Sequence, residues 1–415
     1  MASIARKNLF EDIPRFLVAQ AGIMFAVSLV TIQTGILNGF TRSTALLIDQ
    51  SSADLWVGSE DMLQLEVTLP MPLQNLVTAR QVKGVARAEA LMIRTGLWRS
   101  SSGSIEPVRI YGFDPKGQLL AANWKFISGD LAKLDAPYTV LIDRASRNTL
   151  DLQDVGNTGK IGSLPANLVG IVADTQSIAS SAYIFTSLEN ANAYGTAGLT
   201  SSLNCRLTGD DIKCLNSFAT LPDNQPTNIP PPKALSFTDP ITYILVKAKP
   251  GQDLQDLKQR LAKQLSGTRV YTQAEIADKT RTYWKSRTGV GFILGLGSVV
   301  GIIVGMVVVS QILYSSVADH IKEFGTLKAM GASDWVIAGI ITEQALWMAI
   351  LGYLPSMALC VGLGFWTMSA KGIMILITPA TAIGILGVTI IMCVGSAMFA
   401  IQKVTRVDPA IVFKA

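Results

Sequence analysis

Four stretches of this chain, Phe16–Thr41, Thr288–Ala318, Gln344–Ala370 and Gly372–Gln402, carry no Asp, Glu, Lys, Arg or His. A bilayer core of about 30 Å is crossed by roughly 20 apolar helical residues, and each stretch is longer than that. The chain is therefore expected to cross a membrane four times, with spans over 16–41, 288–318, 335–370 and 372–402. Charged residues make up only 16% of the chain, against about 25% in a soluble domain. Arg6 and Lys7 before the first run, and Ser43-Thr44-Ala45 after it, weakly imitate a signal peptide. The apolar region of a signal peptide is about 7–15 residues long, so the first run is expected to stay as an anchor.

The segment 42–287 between the first two spans is long enough for a sizeable domain. Orientation is read from basic residues in the short segments. Arg6, Lys7, Arg15, Lys322, Lys328, Lys403, Arg406 and Lys414 fall on one side, and Lys371 alone occupies the short loop opposite. Both termini are thus expected in the cytoplasm and 42–287 outside it. Ser3–Arg15 is amphipathic, so 1–15 is expected to lie as a helix in the interface, with a bend at Pro14. Residues 403–415 form a cytoplasmic tail. The net charge of +5 includes no basic run, so no nucleic-acid partner is expected.

Within 42–287 the pattern is mixed. Ala53–Gly58 reads as a strand and Leu73–Lys83 as a helix stopped by Gly84. Ala88–Arg99 and Glu106–Phe113 read as a hairpin turned by Ser100–Ser104. Ile241–Ala248 and Thr268–Thr272 read as strands, and Leu254, Leu257, Leu261 and Leu265 mark a helix between them. Strand candidates at Tyr138–Ile142, Leu168–Ala173 and Ala182–Thr186 lie in a stretch rich in Gly, Asn, Ser and Thr. Asn224–Lys233, with four prolines, reads as a linker. The expected fold is an α+β domain over 42–113 and 240–272, carrying a β-rich insertion over 114–239. A polar stalk helix over 273–287 then leads into the second span, with Tyr283 and Trp284 placed for an interfacial belt. Of the four cysteines, Cys360 and Cys393 fall in spans and are expected to pack there. Cys205 and Cys214 fall in the outer segment, where they are either disulfide-bonded or two separate thiols.

Catalytic machinery is not expected. The nearest approach to a nucleotide-binding P-loop is Gly156-Asn157-Thr158-Gly159-Lys160-Ile161, whose spacing is wrong and which lacks the hydroxyl. His320 is the single histidine, which excludes a multi-histidine metal site. No cofactor is expected. The uncharged runs hold no ionisable relay of the kind ion-coupled transport uses; Glu343 is the nearest exception. Energy is therefore expected from a separate subunit. Gly291, Gly295, Gly297, Gly301 and Gly305 give the second span repeated G-x-x-x-G spacing, which lets helices approach closely in lipid; the spacing leaves open which helix approaches.

The loop 319–334 is the most specific segment. Ile321, Phe324 and Leu327 give it an apolar edge, Lys322, Glu323 and Lys328 a polar one, and Gly331 a turn before the third span. Glu323, Gly325 and Gly331-Ala332 resemble the hallmark of the MacB/FtsX-like ABC transporter permeases. Arg406-Val407-Asp408-Pro409-Ala410 and Ala5-Arg6-Lys7-Asn8-Leu9 resemble that family's closing and opening motifs. Tyr314-Ser315-Ser316-Val317-Ala318-Asp319-His320 and Pro409-Ala410-Ile411-Val412-Phe413-Lys414 look most like the DevC branch. The resemblance implies that His320, Ile321, Lys322, Glu323, Phe324, Gly325, Leu327, Lys328 and Gly331 belong to a coupling helix docked on an ATPase. It further implies a homodimer in the inner membrane, a MacB-type ATPase subunit, a periplasmic adaptor of the membrane-fusion type and a TolC-like outer-membrane duct. Glycolipid export is associated with the DevC branch. FtsX-like regulation of a cell-wall hydrolase and lipoprotein release use the same topology and stand as alternatives.

Overall fold

The computed structural model describes residues 13–196, 201–208, 211–218, 229–287, 289–319, 321–371 and 375–405. The chain divides into two compact units, Thr41–Arg287 and, jointly, Met1–Phe40 with Thr288–Ala415. In chain order, α1 (Ile13–Ser43) is followed by α2 (Leu46–Gln50), β1 (Leu55–Ser59), β2 (Met71–Pro72), α3 (Gln74–Gln81), β3 (Val85–Arg99) and β4 (Ile105–Phe113). Next come β5 (Lys125–Gly129), β6 (Thr139–Asp143), α4 (Arg147–Leu150), β7 (Thr158–Ile161), β8 (Leu164–Ala173), β9 (Ala182–Ser187) and α5 (Leu188–Thr196). A hairpin of β10 (Ser201–Thr208) and β11 (Asp211–Phe218) precedes β12 (Pro240–Ile241), β13 (Tyr243–Ala248), α6 (Leu254–Gln264), β14 (Thr268–Thr272) and α7 (Gln273–Arg287). The chain then continues through α8 (Val290–Asp319), α9 (Ile321–Ala329), α10 (Asp334–Lys371) and α11 (Pro379–Thr405).

Among the described residues, α1, α8, α10 and α11 are long and apolar enough to cross a membrane. Pro14 sits in the first turn of α1, where its missing N–H costs nothing. The rest of the expected interfacial helix, most of the tail and His320 lie outside the described residues. The four helices share one buried cluster, with Ala19, Ile23 and Ala26 from α1, Leu313 and Val317 from α8, Ile337 and Ile341 from α10, and Met392 and Cys393 from α11. The glycines of α8 divide. A Cβ at Gly305 would lie 2.4 Å from Met392 Sδ, one at Gly301 3.2 Å from Leu29 Cδ2, and one at Gly297 2.2 Å from Gln33 Nε2. These three therefore admit α1 and α11 of the same chain, whereas a Cβ at Gly295 would meet nothing within 4 Å.

The unit Thr41–Arg287 is built on a ten-stranded sheet, ordered β14-β1-β13-β3-β4-β9-β6-β8-β5, with β7 bridging β3 and β8. Strand alternation explains its two buried faces. Leu55, Val57, Val108, Ile110, Val140, Ile142, Ile244 and Val246 point to one cluster, which α3, α5 and α6 cover with Leu76, Ala191, Tyr194, Leu257 and Leu261. Trp56, Tyr111, Phe113, Leu141, Tyr243 and Leu245 point to the other, which receives Leu47 and Ile48 of α2 and Ile276 and Ala277 of α7. Gly112 lets α5 lie close on β4, because a Cβ there would stand 2.3 Å from Ala191 Cβ. Apart from the β10–β11 hairpin, the strands of 114–239 join this main sheet and form none of their own among the described residues. β9 pairs in parallel with β4, Val108↔Ala182 to Phe113↔Ser187, and carries β6, β8 and β5 outward on the same sheet. The fold is thus a four-helix membrane unit with a large, strand-rich α+β domain.

Candidate functional site: the loop helix and the stalk

The helix α9 lies between α8 and α10, and its ends are set by local chemistry. Ala332 N–H donates to Leu327 O and Gly331 N–H to Lys328 O, both at 3.0 Å. This is the paired closure of a helix whose next residue is left-handed. Gly331 supplies that residue at φ +94°, a conformation that costs glycine nothing. Lys328, only 14% exposed, pairs with Asp334 at 2.9 Å and ties the end of α9 to the start of α10.

Phe324 is 2% exposed and belongs to the membrane unit's own cluster with Leu313, Val317, Ile337 and Ile341. Gly325 is also buried, and Ile321 and Leu327 are half-buried. The apolar edge of α9 is therefore consumed inside the chain. Its outward surface is made of Glu323 and Thr326, continued by Met330 at 71% exposure and Trp335 at 87%. Sequence reading missed Met330 and Trp335. Their signal was a bulky apolar residue on either side of a glycine turn, out of step with the buried edge. Lys322 lies on α9, but its side chain is outside the described residues.

The stalk helix α7, the last element of the unit Thr41–Arg287, grips α2 at its start in sequence. Gln273 Nε2 donates to the carbonyls of Ile48 at 2.7 Å, Ser51 at 2.9 Å and Asp49 at 3.3 Å. Those carbonyls end α2; that of Ile48 also accepts from the Ser51 N–H at 3.1 Å and the Ser51 hydroxyl at 2.8 Å. Arg281 pairs with Asp49, and the Thr280 hydroxyl accepts from Leu65 N–H at 3.3 Å. The chain that has just left α1 and the chain about to enter α8 are thereby clasped within one unit. Glu275 holds Lys258 of α6 at 2.6 Å and accepts from Thr272 N–H. Burial pulls the Glu275 carboxyl upward, but Lys258 and Thr272 outweigh it and hold the group below the ordinary carboxylate range.

A buried carboxylate pins the loop before β2. Glu66 accepts from the Tyr183 hydroxyl at 2.7 Å, the Tyr111 hydroxyl at 2.9 Å and the Ser180 hydroxyl at 2.8 Å, and meets Arg109 Nε at 3.1 Å. Burial first, and then the charge of Glu66, push both phenols well above their ordinary value. Every oxygen of this cluster is already engaged, so it serves as a rivet. No group of three or more His, Cys, Asp or Glu among the described residues is placed to hold a metal.

Two family models match the chain in series. The model for the MacB-like periplasmic core domain covers residues 16–264, more than half of the chain, and that for the FtsX-like permease C-terminal region covers 295–409. This chain belongs to the MacB/FtsX-like permease family. An export ATP-binding/permease protein of Pseudomonas fluorescens (strain Pf0-1) is 24% identical over 228 residues. That match takes in 54% of this permease but only 30% of the relative's length. Among solved structures, the periplasmic region of MacB from Actinobacillus actinomycetemcomitans is similar at 12% identity and a TM-score of 0.37, covering 58% of this permease and 95% of that chain. The extracellular domain of the noncanonic ABC-type transporter YknZ from Gram-positive bacteria is similar at 9% identity and a TM-score of 0.33, covering 53% and 99%.

Proposed function

We propose that this permease passes motion from a separate ATP-hydrolysing subunit to extracytoplasmic partners, and that it works as a homodimer without hydrolysing ATP itself. The observation that carries the reading is the burial of Phe324 among residues of α8 and α10. A push on the outward surface of α9 cannot be absorbed by α9 alone, because that helix is keyed into two spans and pinned to α10 by Lys328 and Asp334. Packed interiors transmit such displacement because they are dense and poorly compressible. The ATPase contact then falls on Glu323, Thr326, Met330 and Trp335, with both termini cytoplasmic and Thr41–Arg287 outside. An adaptor and outer-membrane duct are the proposed extracytoplasmic partners, and a glycolipid or another lipophilic molecule the proposed cargo.

The test is photo-crosslinking in native membranes from two positions of the full chain. A photoreactive residue at Met330 is expected to capture an ABC ATPase, and one at Ser102, on the exposed β3–β4 turn, an adaptor. Capture of a cell-wall hydrolase or a lipoprotein from Ser102 would replace export by regulation or by lipoprotein release. No ATPase captured from Met330, or an ATPase captured from Ser102, would refute the coupling surface or invert the topology.

A further inference from the structure

Cys205 and Cys214 stand directly opposite one another in a two-stranded sheet that no third strand joins among the described residues. β10 and β11 pair without a register shift from Ser201↔Phe218 to Thr208↔Asp211. The sequence is mostly consistent with this register: Leu203, Cys205 and Leu207 share a parity with Asn216, Cys214 and Ile212 opposite them, while Arg206 and Thr208 take the other face with Lys213 and Asp211, where Leu215 also falls. A slip of one residue would mix the two faces. Only Gly209-Asp210 separates the strands in sequence, and glycine first is a preferred pattern for a two-residue connection.

That connection length also sets which kind of pair the cysteines form. The pair closing a two-residue hairpin, here Thr208↔Asp211, exchanges both backbone hydrogen bonds, and the two kinds of pair alternate along the ladder. Leu207↔Ile212 is then non-hydrogen-bonded, Arg206↔Lys213 hydrogen-bonded, and Cys205↔Cys214 non-hydrogen-bonded. Pairs of this last kind bring their Cα atoms to about 4.5 Å, inside the range of about 4.4–6.8 Å that a disulfide spans. The remaining two cysteines, Cys360 and Cys393, are buried in α10 and α11 and free.

We propose that Cys205 and Cys214 are joined by a structural disulfide that staples the β10–β11 hairpin. The inference rests on the extracytoplasmic placement of Thr41–Arg287 proposed above, since thiols stay reduced in the cytosol. The two thiols give up two protons and two electrons as the S–S bond forms. The electrons pass, through a mixed disulfide, to the disulfide of an extracytoplasmic thiol oxidoreductase, which leaves as a dithiol. The staple has a physical purpose: a lone two-stranded hairpin is marginal in water, and a covalent rung at one of the two central pairs of its ladder holds the alignment that a two-strand ladder cannot.

The test counts thiols on the full chain. Native membranes are lysed into excess alkylating reagent, the chain is denatured without reductant, and labelled cysteines are read after trypsin, which cuts at Arg206 and Lys213 between the two positions. Cys360 and Cys393 are expected to label, while Cys205 and Cys214 stay unlabelled in peptides that separate only on reduction. Cys205→Ser is expected to make Cys214 label without reduction. A second sample is the purified, reduced chain incubated with glutathione disulfide. Free thiols in membranes with a bond formed in glutathione would overturn the native disulfide and the extracytoplasmic placement together, leaving the register intact. Free thiols in both samples would overturn the register and leave the placement untouched.

Discussion

Replacing Gln273 with alanine isolates the grip of the stalk on α2. The Gln273 amide spans three carbonyls, those of Ile48, Ser51 and Asp49. One amide nitrogen carries two hydrogens, so two of these bonds are full at any moment. Each is worth about 0.5–1.5 kcal/mol net, and the loss is about 2 kcal/mol. That corresponds to about thirtyfold more frequent local opening of α2, if opening leaves the rest of the sheet folded. Hydrogen exchange read by mass spectrometry on the full chain in lipid nanodiscs measures this directly. The peptide covering α2 is expected to exchange faster by about that factor, while a peptide within β13 keeps its wild-type rate. Less than about a twofold change in α2 would mean that burial of Leu47 and Ile48 holds it and that Gln273 is incidental. Equal acceleration in both peptides would mean that the whole unit was destabilised and no clasp exists.

Phe324→Ala is expected to lower the stability of the membrane unit by about 3–5 kcal/mol, seen as a fall in thermal midpoint in detergent. Trp335→Ala is expected to change that midpoint little and to weaken capture of the ATPase. Gly112→Ala forces α5 off β4 and is expected to cost about 1–3 kcal/mol, read from the denaturant midpoint of the full chain. Glu275 is held below its ordinary value when folded, so its pairing stabilises above the unfolded carboxylate range and is lost as pH falls through the folded value. Glu275→Gln is therefore expected to be slightly less stable than wild type at neutral pH and equal to it in acid, in paired denaturation curves at both pH values.

The spans were legible because a bilayer imposes a composition that no local interaction can imitate. The third span, expected over 335–370, is the helix α10 from Asp334 to Lys371, which starts ten residues before the uncharged run. The β3–β4 hairpin was legible because alternation and a serine-glycine turn are local signals. What covers a surface is not local. The apolar edge of α9 could be read from Ile321, Phe324 and Leu327, but the residues that bury it come from α8 and α10 on either side. The parallel match of β4 with β9 likewise joins segments about seventy residues apart, and parallel neighbours share no turn to announce them. The Gln273 clasp has no sequence signature at all; a glutamine at the start of a polar helix reads only as solvent-facing.

The place of β1 in the sheet governs the order in which this protein can be made. β1 lies between β13 and β14, with Leu55 opposite both Val246 and Thr272. Residues 243–272 leave the ribosome long after β1, and contacts so distant in sequence form slowly. Until then a strand of fully buried residues, Leu55, Trp56 and Val57, has both edges open, the condition under which chains pair with the wrong neighbour. The first span is by then already synthesised, so the nascent domain waits tethered at the bilayer. A stall or truncation before residue 243 leaves both edges of that strand open, and one before residue 268 still leaves the β14 edge open, which makes the unfinished permease a ready substrate for membrane-bound chaperones and proteases.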